Sequence, residues 1–114
     1  MENCLFCKIA AGEIPCNKAY EDDAVLAFHD IAPQAPVHVL IIPKKHVGDV
    51  TALVPDDAAL WFHMAEVANK LAKELKVDEK GFRIVTNVGA DGGQSVNHLH
   101  LHLLGGRSMK WPPG

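Results

Sequence analysis

The chain has 114 residues, of which 48% are hydrophobic and 22% charged, and its formal net charge is −3 at pH 7. These values are typical of one globular domain, here residues 1–114, and exclude intrinsic disorder as the default state. The charge gives no reason to expect nonspecific binding to nucleic acid, although a local cluster of donors could still bind a small anion.

The N-terminal segment combines a short predicted helix with a pair of cysteines. Residues 4–11 form the helix candidate, which Gly12 and Pro15 end, and Cys4 and Cys7 have Cys-x-x-Cys spacing. The segment lacks the layout of a secretory signal, and no apolar run is long enough to predict a membrane-spanning helix. An odd count of three cysteines favours thiols or metal ligands over disulfides. We therefore expect a cytoplasmic protein with no membrane partner.

Three strands are predicted in the first half of the chain. Residues 18–21 and 24–29 are short β candidates on either side of an acidic turn, and two prolines mark an irregular segment after them. Residues 38–42 are a dense β-branched and aliphatic run that Pro43 closes. Such a run is typical of a strand that is buried on both faces.

The second half predicts one long helix followed by two strands. The helix opens at Pro55 and has an apolar stripe at helical spacing, formed by Leu60, Met64, Val67, Leu71 and Leu75. Residues 82–88 and 97–104 are the strands, joined by a glycine-rich loop. Strands before and after one long helix indicate an α+β domain with a mostly antiparallel sheet.

The last predicted strand carries three alternating histidines, His98, His100 and His102. On a strand they share one face, and the intervening leucines share the other. Three interpretations compete: a polar solvent-facing strand, a zinc site, or a division of labour in which one imidazole attacks and another handles protons. Three histidines on one flat strand would converge poorly on a zinc ion, whereas neutral imidazole is nucleophilic near pH 7. We favour the third interpretation.

The loop directly before these histidines favours an anion. Three of its residues are glycines, which let a backbone approach a ligand closely and turn amide groups toward negative charge. Ser95 adds a hydroxyl group, and Asn87 adds an amide at the end of the preceding strand. The loop therefore predicts a phosphate held within reach of an imidazole.

The histidine run resembles the signature of the histidine triad (HIT) family, His-φ-His-φ-His-φ-φ, where φ is apolar. Further segments are similar to the histidine triad nucleotide-binding proteins of the adenosine phosphoramidase branch, and together they cover nearly the whole chain. These segments are AFHDI (27–31), PQAP (33–36), HVLIIPKKH (38–46), GGQS (92–95), GGR (105–107) and WPPG (111–114).

The resemblance implies a HIT-like α+β fold, with a five-stranded mainly antiparallel sheet, one long helix and a short N-terminal helix. It also implies a homodimer across which the sheet extends, and a C-terminal tail that approaches the partner's site. Trp111 could equally cap its own core.

The resemblance further implies a hydrolase acting on P–N bonds of purine nucleotides. His100 would attack the α-phosphorus of an adenosine 5′-monophosphate conjugate, and water would then release the monophosphate from a nucleotidyl-histidine. The implied catalytic residues are His100, His102, Ser95 and His38. The implied nucleotide-binding residues are Asp30, Ile31, Phe28, Asn87, Gly93, Gln94, Ser95, His100 and His102. For Ile31 and Phe28, a role in the ordinary core is the alternative.

The cysteine pair alone is not a zinc site, because tetrahedral structural zinc needs two more ligands. Some members of the family complete the site with two histidines, and the matching positions here are His46 and His98. The resemblance thus implies a structural zinc ion held by Cys4, Cys7, His46 and His98. Reduced thiols beside a helix start are the alternative.

Two other classes of function stay open at the level of sequence. One is a nucleotide-binding regulator or scaffold in which hydrolysis is incidental, and the other is a zinc hydrolase that uses two of the triad histidines.

Overall fold

Five strands pair in a single antiparallel sheet in the computed structural model of the protein, which describes residues 3–114. The strands are β1 (Lys18–Glu21), β2 (Val25–His29), β3 (Val37–Pro43), β4 (Phe82–Val85) and β5 (Leu101–Gly105). Their order across the sheet is β1-β2-β3-β5-β4, so β3 and β5 are central neighbours. The predicted α+β class and five-stranded sheet are confirmed.

The central strand β3 is buried on both faces, as its sequence predicts. Val39 and Ile41 pack into a cluster with the long helix, whereas Leu40 and Ile42 pack into a second cluster with Phe6 of the N-terminal helix. The alternation follows from the pleat, because successive side chains point to opposite faces of a sheet. A helix on each side explains why the strand needs no polar face.

The two helices cover opposite faces of the sheet. The short helix α1 spans Leu5–Ala10, and the Cys4 sulfur caps it by accepting from the backbone N–H of Cys7 at 3.3 Å. The long helix α2 spans Ala58–Glu74 after a 3₁₀ turn at Pro55–Asp57. The inward face of α2 is apolar and fully buried, and it consists of Met64, Val67, Ala68, Leu71 and Ala72. Leu60 and Leu75 of the predicted stripe are only partly buried at the two ends.

The last two strands are shorter than their sequences predict. β4 ends at Val85 rather than at residue 88, and β5 begins at Leu101 rather than at residue 97. The reason lies in β3, whose last residue is Pro43 and therefore has no N–H for a longer ladder. The chain before β5 instead bonds to the loop after β3, where the Leu99 N–H donates to the Val47 carbonyl at 2.6 Å.

No helix among residues 3–114 combines the length and the apolar character needed to cross a bilayer. Strand β4 lies at one edge of the sheet, and its Ile84 is 44% exposed. Such an edge is available for pairing with another strand. The extension of the sheet across a homodimer concerns a second chain and stays a prediction.

An ion pair joins the turn between β1 and β2 to helix α2. The Asp22 carboxylate accepts from the Tyr20 hydroxyl and from His63 Nε2, both at 2.6 Å. Hydrogen bonds to Asp22 and to Glu66 raise the pKa of His63 above its ordinary value. Burial opposes ionisation of Asp22, but these bonds and two from backbone amides outweigh it and lower the pKa of that carboxyl.

This contact predicts a pH-dependent stability. Because the pKa of His63 is raised in the folded state, the stabilisation is complete below the ordinary pKa and is lost as pH rises through the raised value. We expect His63→Gln to lower the free energy of unfolding by less than about 1 kcal/mol at about pH 5.5, with no loss at about pH 9. Urea titrations at both pH values measure this difference. An equal loss at the two pH values would contradict the electrostatic origin.

Candidate active site

The three alternating histidines lie in two different settings. Only His102 belongs to β5, whereas His98 and His100 precede the strand, so the prediction of one flat row of rings is wrong. The alternation of sides nevertheless persists, because the leucines between them pack into the core cluster under α2. His98 and His100 are buried, at 0% and 4% exposure, and the ring centroids of His100 and His102 are 4.9 Å apart.

His100 is held in one tautomer by its own backbone. Its Nδ1 lies 2.7 Å from the His98 carbonyl oxygen. A carbonyl oxygen can only accept, so Nδ1 carries the proton and Nε2 of the neutral ring keeps its lone pair. The Phe6 ring meets the imidazole edge-on, with centroids 5.1 Å apart at 89°. The Thr86 hydroxyl donates to the His100 carbonyl at 2.9 Å and fixes the backbone from the other side.

The Nε2 atom of His100 is the open position of this ring. It has no hydrogen-bond partner within residues 3–114. Every fully buried side-chain nitrogen or oxygen atom of that range does have a partner, so Nε2 of His100 is not fully buried. This nitrogen therefore contacts solvent, although the ring as a whole is buried. A fixed, desolvated imidazole with an accessible lone pair is suited to act as a nucleophile.

A second pair of imidazoles stands beside His100. The Gln34 backbone N–H donates to His38 Nδ1 at 3.0 Å, so neutral His38 carries its proton on Nε2. His38 Nε2 lies 2.9 Å from His102 Nδ1 and donates to it. The proton of His102 is then on Nε2, which gives this residue a donor on the side away from His38. The Asp30 carboxylate lies 3.5 Å from His38 Nε2.

The electrostatics of this pair favour neutral rings at pH 7. Burial, together with the neighbouring imidazoles of His100 and His38, lowers the pKa of His102 to about 4. Burial also lowers the pKa of His38, and the carboxylate of Asp30 opposes that effect. With both rings neutral, the hydrogen bonds run in one direction: the Gln34 N–H donates to His38, and His38 donates to His102.

His98 points away from this group and joins a cluster of sulfur and nitrogen donors. Its Nδ1 lies 3.2 Å from Cys4 Sγ, 3.5 Å from Cys7 Sγ and 3.2 Å from His46 Nδ1. Cys7 Sγ lies 3.2 Å from His46 Nδ1, and all four donor atoms lie within 4.8 Å of one another. Tetrahedral zinc with such ligands separates donor atoms by about 3.3–3.8 Å, so the set fits that ion.

The tautomer of His98 agrees with metal ligation. Its Nε2 donates to the Pro43 carbonyl at 2.8 Å, which leaves Nδ1 unprotonated and directed at the sulfurs. A second donor cluster consists of Asp30, His38 and His102. Among residues 3–114, no donor cluster contains two of the triad histidines. A zinc hydrolase built on two triad rings therefore has no geometric support.

The glycine-rich loop is shaped by its own side chains. Gly93 has φ +76°, and a side chain on Gly92 would collide with the Val88 carbonyl, so both positions require glycine. Gln94 is fully engaged inside the loop, because its amide bonds to Gly89, Gly48 and Val96. Its backbone N–H is used as well, because it donates to the Gly89 carbonyl at 3.0 Å.

Two polar side chains of the loop region retain free capacity. Asn87 Nδ2 donates to the Gly92 carbonyl at 2.6 Å, and its second N–H and its oxygen have no other partner within residues 3–114. Asn87 directly follows Thr86, whose hydroxyl donates to the His100 carbonyl. Ser95 is exposed and lines a cavity of about 600 Å³ with Asn97 and His46.

The residues predicted as nucleoside walls separate into different environments. Phe28 is 5% exposed and packs edge-on against Phe6 in the core, whereas Ile31 is 101% exposed on the surface. Asp30 lies between them, and its Oδ1 accepts from the backbone N–H of Ala32 at 2.8 Å. The carboxylate is thus oriented beside an apolar side chain that nothing within residues 3–114 covers.

Sequence reasoning missed the residues that orient the imidazoles. Phe6, Gln34 and Thr86 contact His100 or His38, but they act from distant positions or through backbone groups. Arg107 also belongs to this set, because its guanidinium donates to the Gln34 carbonyl at 3.1 and 3.0 Å. The only sequence signal for a fixed loop around Gln34 is the pair of prolines at positions 33 and 36.

Comparison with known proteins identifies relatives along almost the full chain. A sequence profile of the HIT domain matches residues 11–109. The chain is 51% identical over 113 residues to an uncharacterized HIT-like protein of Synechocystis sp., covering 99% of this chain and 98% of that protein.

Solved structures show the same architecture. The crystal structure of a HIT family hydrolase from Legionella pneumophila is 55% identical and superimposes with a TM-score of 0.97, covering 98% of this chain and 100% of that one. A histidine triad protein from Clostridium difficile is 48% identical, with a TM-score of 0.93 and 96% of each chain covered. The fold is therefore shared with proteins that bear the family's name.

Proposed function

The chain belongs to the HIT domain family, and from that membership we propose that it hydrolyses purine nucleoside 5′-phosphoramidates through a covalent intermediate on His100. The single observation that carries the proposal is the bond between His100 Nδ1 and the His98 carbonyl. It fixes the Nδ1–H tautomer of the neutral imidazole, in which the Nε2 lone pair is open to solvent.

Substrate binding would use the surroundings of this nitrogen. The glycines of the turn let the backbone approach the α-phosphate closely, and Asn87 offers a side-chain N–H. Asp30 accepts the ribose hydroxyl groups, and Ile31 provides an uncovered apolar surface for the base. Burying that side chain against a purine would be worth about 1.5–3 kcal/mol at most.

The first chemical step forms one bond and breaks another. Nε2 of His100 attacks the α-phosphorus, and the P–N bond to the leaving amine breaks with its electron pair on nitrogen. The amine takes up a proton that enters from solvent and passes through the His38–His102 pair, whose His102 Nε2–H is oriented toward the leaving group, so that neither ring is left as an anion. Positioning and charge stabilisation are the main tasks of a protein in phosphoryl transfer.

The second step returns the enzyme to its starting state. Water attacks the phosphorus of the nucleotidyl-histidine, the bond to His100 Nε2 breaks, and the nucleoside monophosphate leaves. The proton that this water releases passes through His102 and His38 back to solvent, and both rings end neutral, the state that burial favours. No metal ion takes part in either step.

We further propose that Cys4, Cys7, His46 and His98 hold a structural zinc ion. The donor set and the tautomer of His98 support this assignment. All four ligand positions are supplied by the protein, so the ion would stabilise the fold and would have no open site for substrate. It would tie helix α1 to the segment that carries His100.

Mass spectrometry of the intact protein tests the catalytic proposal. Protein mixed with adenosine 5′-phosphoramidate for less than one turnover should gain one adenylyl unit, and peptide mapping at neutral pH should assign it to His100. His63→Gln should give the same adduct, since His63 lies on the opposite face of the sheet from α1 and contacts Asp22. Hydrolysis without any adduct, or an adduct on another residue, would overturn the mechanism.

A further inference from the structure

A cationic cavity lies where the end of α2, the start of β4 and the segment after β5 meet. Its main chamber has a volume of about 730 Å³, and an adjoining chamber of about 280 Å³ shares Lys80, Gly81, Arg107 and Ser108 with it. Lys76 lines the first chamber, and Arg83 lines the second. Four cations from separate parts of the fold thus surround one connected space.

No acidic residue lines either chamber. The chain as a whole has a net charge of −3, and four of the seven lysines outside the cavity pair with carboxylates: Lys18 and Lys44 with Glu21, Lys45 with Asp57, and Lys70 with Glu74. By contrast, the four cations of the cavity form no ion pair with any carboxylate of residues 3–114. Positive charge is therefore concentrated here against the sign of the molecule.

Both guanidinium groups are fixed by neutral acceptors. Arg107 donates from Nε and Nη2 to the Gln34 carbonyl and from Nη1 to the Ser108 carbonyl. Arg83 donates to the Lys110 carbonyl, and its Cζ lies 5.9 Å from the centroid of the Trp111 ring. These contacts hold the side chains in place without cancelling their charge. Two N–H groups of Arg107 stay available for a ligand, because three of its five donors are used.

The helix dipole does not account for this cluster. Lysine near a helix C-terminus is a common way to offset the partial negative charge there, and it explains Lys76. Arg83 and Arg107 come from β4 and from the segment after β5, so that effect does not explain them. Lys76 also adopts φ +61°, a left-handed conformation that glycine would adopt without strain.

The cavity is separate from the catalytic imidazoles. Its floor lies at the end of the sheet where Phe82 pairs with Gly105, whereas His102 pairs with Val85. Three residues along a strand correspond to about 10 Å. The cations of the cavity are thus distinct from the loop proposed to hold the α-phosphate.

We propose that this cavity binds a small anion that carries a diphosphate group. Two connected chambers with a shared wall of Lys80 and Arg107 match two linked phosphates better than a single tetrahedral anion. Guanidinium groups bind phosphate oxygens in a bidentate manner, and the lysines add point charges at either side. The ligand's source is either inorganic pyrophosphate or the diphosphate of a nucleotide.

Calorimetry with inorganic pyrophosphate tests the site, in the presence of saturating adenosine monophosphate to occupy the catalytic loop. One pyrophosphate should bind per chain at about 50 mM salt, with affinity that falls as salt increases. Lys80→Gln should weaken binding by about tenfold, since a bond to a charged group is lost. Lys73→Gln, which removes an exposed charge of α2 outside the cavity, should change the affinity by less than about twofold.

The Lys76→Gly variant distinguishes the effect of the lysine charge on pyrophosphate binding from its effect on stability. It should weaken pyrophosphate binding like Lys80→Gln, and it should raise the Tm because glycine relieves the left-handed backbone strain. Equal affinity for ADP and pyrophosphate would indicate that only the diphosphate group is recognised. A higher affinity for ADP would indicate that the ligand is a nucleotide. Absence of binding at millimolar pyrophosphate, or equal weakening by Lys73→Gln, would overturn the proposal whether or not His100 proves to be the nucleophile.

Discussion

His100→Asn is expected to abolish turnover of adenosine 5′-phosphoramidate, with a loss of about 10⁴-fold or more in kcat. The loss is large because covalent catalysis has no substitute when the attacking atom is gone. Asparagine is the informative replacement, since its Nδ2 can take the place of the Nδ1–H that donates to the buried His98 carbonyl. The fold and the phosphate loop should therefore survive, and adenosine monophosphate should bind within about threefold of the unsubstituted affinity.

The comparison with His102→Asn makes this prediction sharper. His102 is proposed to donate a proton rather than to attack, so its replacement should slow turnover by about 10²–10⁴-fold and still permit the adenylyl adduct to form. Steady-state rates and monophosphate calorimetry on both variants provide the measurement. Turnover by His100→Asn within tenfold of the original enzyme would mean that water attacks the substrate directly. Monophosphate binding without turnover by the intact protein would instead favour a nucleotide sensor.

The sequence predicted the sheet well where local pattern and burial agree. Residues 39–42 have no polar position, and β3 is indeed covered on both faces by α1 and α2. The alternation of leucine and histidine likewise predicts which side chains enter the core. Such patterns report the two faces of a strand, and they do not depend on its partners.

Strand ends depend on distant partners and could not be predicted in the same way. Nothing near residue 97 shows that Pro43 would terminate the ladder, or that Leu99 would bond to Val47 instead. As a result His98 and His100 leave the strand, and their rings diverge into two sites. The sequence identifies these residues as important, but only the three-dimensional fold separates their chemistry.

Some features of the site could be predicted from residue types, whereas others depend on contacts with the backbone. A resemblance suggested that His46 and His98 complete the cysteine pair, and the four donors do converge. The tautomers of His38, His98 and His100 could not be foreseen, because each is set by a backbone group: the Gln34 amide and the Pro43 and His98 carbonyls. Apart from the missing N–H of proline, backbone donors and acceptors are identical in every residue, so they leave no signature in a sequence.

Removal of the proposed zinc ion should cost stability before it costs catalysis. Cys7→Ser, or treatment with a strong chelator, is expected to lower the Tm by about 10 °C or more, because the ion binds the folded chain and not the unfolded one. For a domain of this length such a shift corresponds to about 3 kcal/mol. At temperatures below the lowered transition, kcat should stay within about threefold of the metal-loaded value, since His98 and not His100 belongs to the donor cluster.

Cys16→Ser is the matched control, because Cys16 is a free thiol outside the cluster. It should shift the Tm by no more than about 3 °C, and elemental analysis should still find one zinc per chain. In Cys7→Ser the zinc content should fall in step with the Tm, which links the metal to the lost stability. Zinc-free protein with an unchanged Tm would refute the assignment. Loss of activity in a still-folded, metal-free protein would contradict a purely structural role for the ion.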